Sequence, residues 1–159
     1  MNIQTNLDPK NSIGLIVKST EKAIGYALDL EIRARCGITG GPWKVIVALS
    51  IQDGVSQKEL ADLILVESPT LVPILDKMEN TGFIKRKPNP KDRRTNEIFL
   101  TSKAKKLSSG IIDCILDIRD IITKNISGNE IEITKNTLKT MTQNAESFMM
   151  QKTEQAIKN

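Results

Sequence analysis

Histidine is absent from this 159-residue chain, and aromatic residues make up only 3% of it. Without histidine the chain lacks the commonest general base, the usual serine and cysteine triads, and most catalytic zinc sites. Only two cysteines occur, Cys36 and Cys114, with no CxxC pair between them. That spacing excludes a disulfide framework and a zinc ribbon. There is no GxxxxGK loop and no GxGxxG loop, and the glycines before Trp43 lack the lysine and serine that a phosphate cradle requires. No cofactor, no metal and no enzymatic activity are therefore expected. No apolar run reaches the length of about 18 residues that a membrane span needs. The polar start, Met1 to Ser12, does not read as a secretory signal, so the cytoplasm is the expected location.

What the chain does have is positive charge, unevenly spread. Its formal net charge is +4. Between Ile84 and Lys106 nine basic residues face two acids, a local excess of seven that leaves the rest of the chain net negative by three. Such concentration is what a polyanion-binding surface requires.

Hydrophobic spacing orders the rest. Ile13, Ile16, Val17, Thr20, Ala23, Ile24, Ala27 and Leu28 form one stripe on a long helix, expected from Asn11 to Arg35. Gly40, Gly41 and Pro42 break it and open a second helix that stops at Asp53-Gly54. Ser56 and Glu59 make a capping-box pattern, ahead of a short helix with Leu60, Ala61, Leu63 and Ile64 inward. Ser68-Pro69 reads as an N-cap and first turn, and Gly82 closes a helix that buries Leu71, Ile74, Leu75 and Met78. Two short strands follow as a hairpin around Pro88 to Asn96. A long helix then begins at Thr101, with a stripe from Leu107 through Ile111, Cys114, Ile115, Ile118 and Ile121 to Ile122. Ser127 and Glu130 repeat the capping-box pattern before a last helix striped by Thr134, Leu138, Met141, Ala145 and Phe148.

The expected fold is mainly α with a small β-hairpin wing: a winged helix-turn-helix plus long N- and C-terminal dimerisation helices. The divisions are 1–40 for the first dimerisation helix, 41–102 for the winged unit and 103–159 for the last helices, in one continuous domain. One winged unit cannot cover three apolar stripes, so a second copy of the chain is expected against them. A monomer whose end helices fold on one another is the alternative.

Residues 56–75 fit a helix-turn-helix, with Val66 plugging the turn. Ser68, Pro69, Thr70, Pro73 and Lys77 are left on the outer side of its second helix, where base edges of the major groove are read. Ser56 and Gln57 open the first helix and join that surface. The basic hairpin makes a wing, with Lys85, Lys87, Lys91 and Arg93 for phosphates. Arg94 suits the minor groove, and Asp92 orients that arginine or its neighbour. A winged module that meets an acidic protein is the rival reading.

The stretch from Ser56 to Leu107 resembles the core of the MarR family of winged-helix transcription regulators. The most specific part is Gly82-Phe83-Ile84, then Pro88-Asn89-Pro90-Lys91-Asp92-Arg93-Arg94, then Leu100-Thr101. The resemblance implies a homodimer on a pseudo-palindromic operator, repressing until a small-molecule effector or an oxidant relieves it. It also implies that Asp92 and Arg94 carry the wing contact and Ser68 to Pro73 the base contact. Two positions depart from the pattern. Pro73 stands where many relatives have arginine; strain there is avoided if Thr70 is the effective cap. Leu65 stands where the turn often has glycine, and suggests a wider turn.

Tyr26 and Trp43 are the candidate stacking residues of an effector pocket. Cys36, near Arg33 and Arg35, is the candidate redox thiol; the alternative for it and for Cys114 is a small buried hydrophobe.

Overall fold

The computed structural model describes residues 11–92 and 94–157. They form α1 (Ile13–Cys36), α2 (Pro42–Ile51), β1 (Val55–Ser56), α3 (Gln57–Leu63), α4 (Ser68–Asn80), β2 (Ile84–Pro88), β3 (Asn96–Leu100), α5 (Ser102–Ile122) and α6 (Gly128–Ile157). The chain divides into two compact units, Met1–Arg119 and Asp120–Asn159.

In the first unit, apolar positions at helical spacing meet in one core. Ile32 of α1 joins Val45, Ile46 and Leu49 of α2, Leu60 and Ala61 of α3, and Leu71, Leu75 and Met78 of α4. Ile84, Ile98 and Leu100 close it from the sheet, and Ala104, Ile111 and Cys114 from α5. Each Leu or Ile buried this way stabilises the fold by roughly 1.5–3 kcal/mol.

The hairpin forms as expected, β2 antiparallel to β3 with Ile84 opposite Leu100 and Arg86 opposite Ile98. A third strand was not foreseen. β1 pairs with β3 through Val55 opposite Ile98 and Ser56 opposite Glu97, giving the order β1-β3-β2. It is two residues long, too short for an alternating pattern, and its partner lies far along the chain. Gly54 makes this corner feasible. Its φ is 78°, and a Cβ there would sit 2.7 Å from the Phe99 ring.

Capping places the helix-turn-helix. At α3 the Glu59 N–H donates to Ser56 Oγ (3.2 Å) and the Ser56 N–H to the Glu59 carboxylate (2.8 Å). The hydroxyl and the backbone N–H of Ser56 together hold the Glu59 carboxyl below its ordinary range. α4 ends in a Schellman motif: Phe83 N–H donates to Met78 O (2.8 Å) and Gly82 N–H to Glu79 O (2.9 Å). Gly82 takes φ 74°, as its expected place at the helix end demands.

Four details differ from expectation. Leu63 is half exposed, because α3 ends on it and only Leu60 and Ala61 reach the core. The N-cap of α4 is Glu67, not Ser68: the Glu67 carbonyl accepts from Thr70 N–H (2.9 Å) and Leu71 N–H (3.3 Å). Thr70 is not the cap either, so Pro73 lies inside the helix as its sixth residue. It supplies no N–H to the Pro69 carbonyl; both prolines are exposed, where water replaces the lost donor at lower cost than in a core. The turn at Leu65 is not widened. Leu65 itself adopts φ 56°, and the Val66 N–H to Ala61 O bond (3.0 Å) closes the same motif that a glycine would.

The second unit consists of the end of α5, a short turn and α6. The Ser127–Glu130 capping box forms as read, with the Ser127 N–H donating to the Glu130 carboxylate at 2.8 Å and the Glu130 N–H to Ser127 Oγ at 3.3 Å. No residue of α6 is buried in the single chain, and Ile133, Phe148, Met149 and Met150 are more than half exposed.

The left-handed turn yields a test. Leu65 is 91% exposed, so truncating it sacrifices almost no packing, while its backbone carries the Cβ clash of the αL region. Leu65→Gly should raise unfolding stability by about 0.5–1 kcal/mol, once glycine's extra chain entropy is subtracted. Urea denaturation of the two proteins measures it.

Candidate nucleic-acid interface

On α4, burial of Leu71, Leu75 and Met78 turns Pro69, Thr70, Pro73 and Lys77 outward, all exposed as the spacing predicts. Ser68 is only half-buried. Its hydroxyl accepts from the Gln57 side-chain amide (3.4 Å), which ties the start of α3 to the start of α4. Ser56 is engaged in its capping box. Ser56 and Gln57 thus sit beside this surface as residues that fix its geometry.

The wing follows from strand alternation. Ile84 is buried and Lys85 and Lys87 are exposed, which puts Arg86 on the same face as Ile84. That face meets α4. Arg86 reaches Asp76 Oδ1 and Glu79 Oε2, each at 2.7 Å, and its backbone N–H donates to Glu79 Oε1 at 3.0 Å. Asp76 and Glu79, three residues apart, stand on one side of the helix. Burial pulls the guanidinium pKa down, yet the bonds to Asp76 and then Glu79 outweigh it and raise it above its ordinary value. Sequence reading counted Arg86 among the basic residues without giving it this role. Its strand parity with Ile84 and the acid spacing on α4 were the available signals.

Two more basic residues are taken up internally. Lys105 pairs with Asp53 (2.9 Å), whose other oxygen accepts from Leu100 N–H (2.8 Å). Lys103 donates to the Thr81 carbonyl at the end of α4 (2.9 Å) and lies 4.5 Å from the centre of the Phe83 ring. Lys87 lies over Phe99 at 4.7 Å, its ammonium on the exposed side of the sheet.

At the wing tip Asn89 Oδ1 accepts from Lys91 N–H (2.8 Å) and Asp92 N–H (3.3 Å). Asp92 Oδ1 accepts from Arg94 N–H (3.0 Å), and Thr95 N–H returns to Asp92 O (3.0 Å). Asp92 therefore orders the backbone of Arg94. Its carboxylate stands 4.0 Å from the guanidinium, whose side chain is 95% exposed, and a pair of that kind contributes little. The Arg94 side chain projects from the tip into solvent. Arg93 lies outside the described residues.

Residues 38–95 match the model of the MarR family. The HTH-type transcriptional regulator TtmR of Methylorubrum extorquens (strain PA1) is 33% identical over 115 residues, which cover 70% of this chain and 58% of TtmR. The chain carries a MarR-family segment. It spans less than two thirds of the length of that curated relative. Among solved MarR-like folds, the transcriptional regulator PA3341 superposes with a TM-score of 0.78 at 29% identity, over 86% of this chain and 99% of PA3341. The transcriptional repressor CouR, bound to a 23-mer DNA duplex, superposes with a TM-score of 0.74 at 19% identity, over 89% of this chain and 99% of CouR. The CouR likeness is one of fold.

Of the two aromatic pocket candidates, Trp43 borders a cavity. The cavity measures about 310 Å³ and is walled by Val47, Ala48, Ile51, Leu63 and Ile64 among others. The Trp43 indole N–H donates to Asp29 (2.6 Å). Tyr26 is 68% exposed on α1 and does not line that space. Cys36 is half-buried, and a Cβ on Gly110 would lie 3.4 Å from its sulfur. Cys114 is buried; burial first, then the neighbouring Cys36, pushes its thiol pKa up, away from reactivity.

Removing Arg86 tests the strut. Arg86→Ala should cost about 1–2 kcal/mol of stability, discounted for the partly exposed acids. Arg86→Lys should recover less than half, since one ammonium lacks the planar fork that serves both carboxylates. Urea titrations of the three proteins supply the comparison.

Proposed function

We propose that this chain regulates transcription in the cytoplasm by binding a pseudo-palindromic duplex as a homodimer. α4 enters the major groove, Arg94 enters the adjacent minor groove, and Lys85, Lys87, Lys91 and Arg93 neutralise phosphates. The observation that carries this reading is the Arg86 strut, which joins an outward helix face to a wing bearing an exposed arginine. A groove-reading helix and a minor-groove probe need this fixed relation.

The dimer is supported by apolar surface that one copy leaves uncovered. Ile13, Leu15, Ile16 and Val17 of α1 are 39–55% exposed, and α6 buries nothing. A second copy laid on α1 and α6 covers them, in keeping with the terminal helices serving dimerisation and the central residues 41–102 reading DNA. Repression relieved by an effector is the regulatory mode we favour. The Trp43 cavity has room for a small apolar molecule, and Cys36 is the candidate thiol if the signal is an oxidant.

Fluorescence anisotropy against the duplex upstream of this gene, and a scrambled duplex of equal length, tests the proposal at two salt concentrations. Preferential binding with two chains per duplex is expected, with a log–log salt slope of about −0.9 for each phosphate neutralised. Arg94→Ala should weaken binding by about 1 kcal/mol, roughly fivefold, without changing stability. No binding to either duplex at low salt would overturn the proposal and favour an acidic protein as the wing's partner.

A further inference from the structure

The first two turns of α4, residues 68–73, contain no arginine, lysine, asparagine or glutamine. Those are the side chains that read guanine or adenine through paired hydrogen bonds in the major groove. The polar groups nearby are already committed. The Ser68 hydroxyl accepts from the Gln57 amide, and Asp76, one turn further along, is held to the wing by Arg86.

What faces outward is largely apolar. Pro69 and Pro73, four residues apart, stand one above the other opposite the buried Leu71, Leu75 and Met78. Val72 flanks them at 38% exposure, and the exposed Thr70 adds a methyl group and one hydroxyl. Lys77 on α4 borders this apolar strip, and Lys85 and Lys91 are exposed on the wing. A duplex suits both parts: its phosphates match the basic border, and within the groove only thymine offers an apolar group, its 5-methyl.

We propose that the first two turns of α4 read thymine 5-methyl groups, so that each half-site is specified by thymines at its centre and not by guanine. The inference rests on the DNA-binding reading and names the bases it selects. Pro69, Val72 and Pro73 make the methyl contacts, and the Thr70 methyl or hydroxyl adds one more. Lys77 and the wing supply affinity that does not depend on sequence.

The test selects duplexes from a random library with the intact protein, then replaces each thymine of the winning half-site by deoxyuridine. That change removes the methyl and leaves base pairing intact. Affinity should fall about fourfold per contacted thymine, the worth of one buried methyl group. Pro73→Arg, which also restores a helix hydrogen bond and so should fold, should shift the selected base beneath it toward guanine. Specific binding that ignores every deoxyuridine, or a wild-type site fixed by guanines, would overturn the inference alone. A library from which nothing is enriched would remove the DNA-binding reading, and the inference with it.

Discussion

The Arg86 side chain joins the two elements of this surface, and its geometry depends on that link. It leaves the inner face of β2, crosses to α4 and bonds both Asp76 and Glu79, while its own N–H bonds Glu79 as well. Two consequences follow from that single residue. The hairpin is tied to α4 by three charge-assisted bonds, which oppose its swinging independently of that helix. The single positive charge of Arg86 also offsets one of the two negative charges that Asp76 and Glu79 place on α4.

The neighbouring devices act on the same piece of structure. Asp53 anchors the end of β3 and the start of α5 together through Leu100 and Lys105. The Gln57–Ser68 bond holds the openings of α3 and α4 in register. At the far end Asn89 and Asp92 each accept backbone N–H groups through a side-chain oxygen, while the Arg94 side chain stays exposed. Ordering a loop before binding lowers the entropy lost in the complex. In the proposed complex, specificity divides between an arginine suited to a narrow groove and an α4 face poor in hydrogen-bond donors, which would discriminate by methyl contact and DNA shape.

Much of this was legible in the residues. Periodicity located the helices and the hairpin, and the capping patterns at Ser56 and Ser127 formed as written. Local rules failed where a second element decided the outcome. β1 exists only because Ile98 and Glu97 offer it a partner. Ser68 lost its expected cap role because the Glu67 carbonyl begins the helix and the Ser68 hydroxyl turns to Gln57. Leu65 took a left-handed backbone because the motif closing α3 requires one, whatever residue stands there. For the surface itself, the exposed positions on α4 and β2 followed from spacing alone. Arg86, Lys103 and Lys105 could not be separated from the outward basic residues by composition, since their partners are contributed by α4 and by the turns that follow α2 and α4. Tyr26 and Trp43 were grouped by chemistry, and the fold keeps Tyr26 away from the Trp43 cavity.

The central claim is that α4 and the wing act as one rigid reading head, two copies of which lie on one face of a duplex. Hydroxyl-radical footprinting of a selected duplex tests it most directly. The account predicts two protected segments whose centres are one helical turn apart, about 10–10.5 base pairs, with minor-groove protection flanking each. A single protected segment, or two with no minor-groove protection flanking them, would contradict the account.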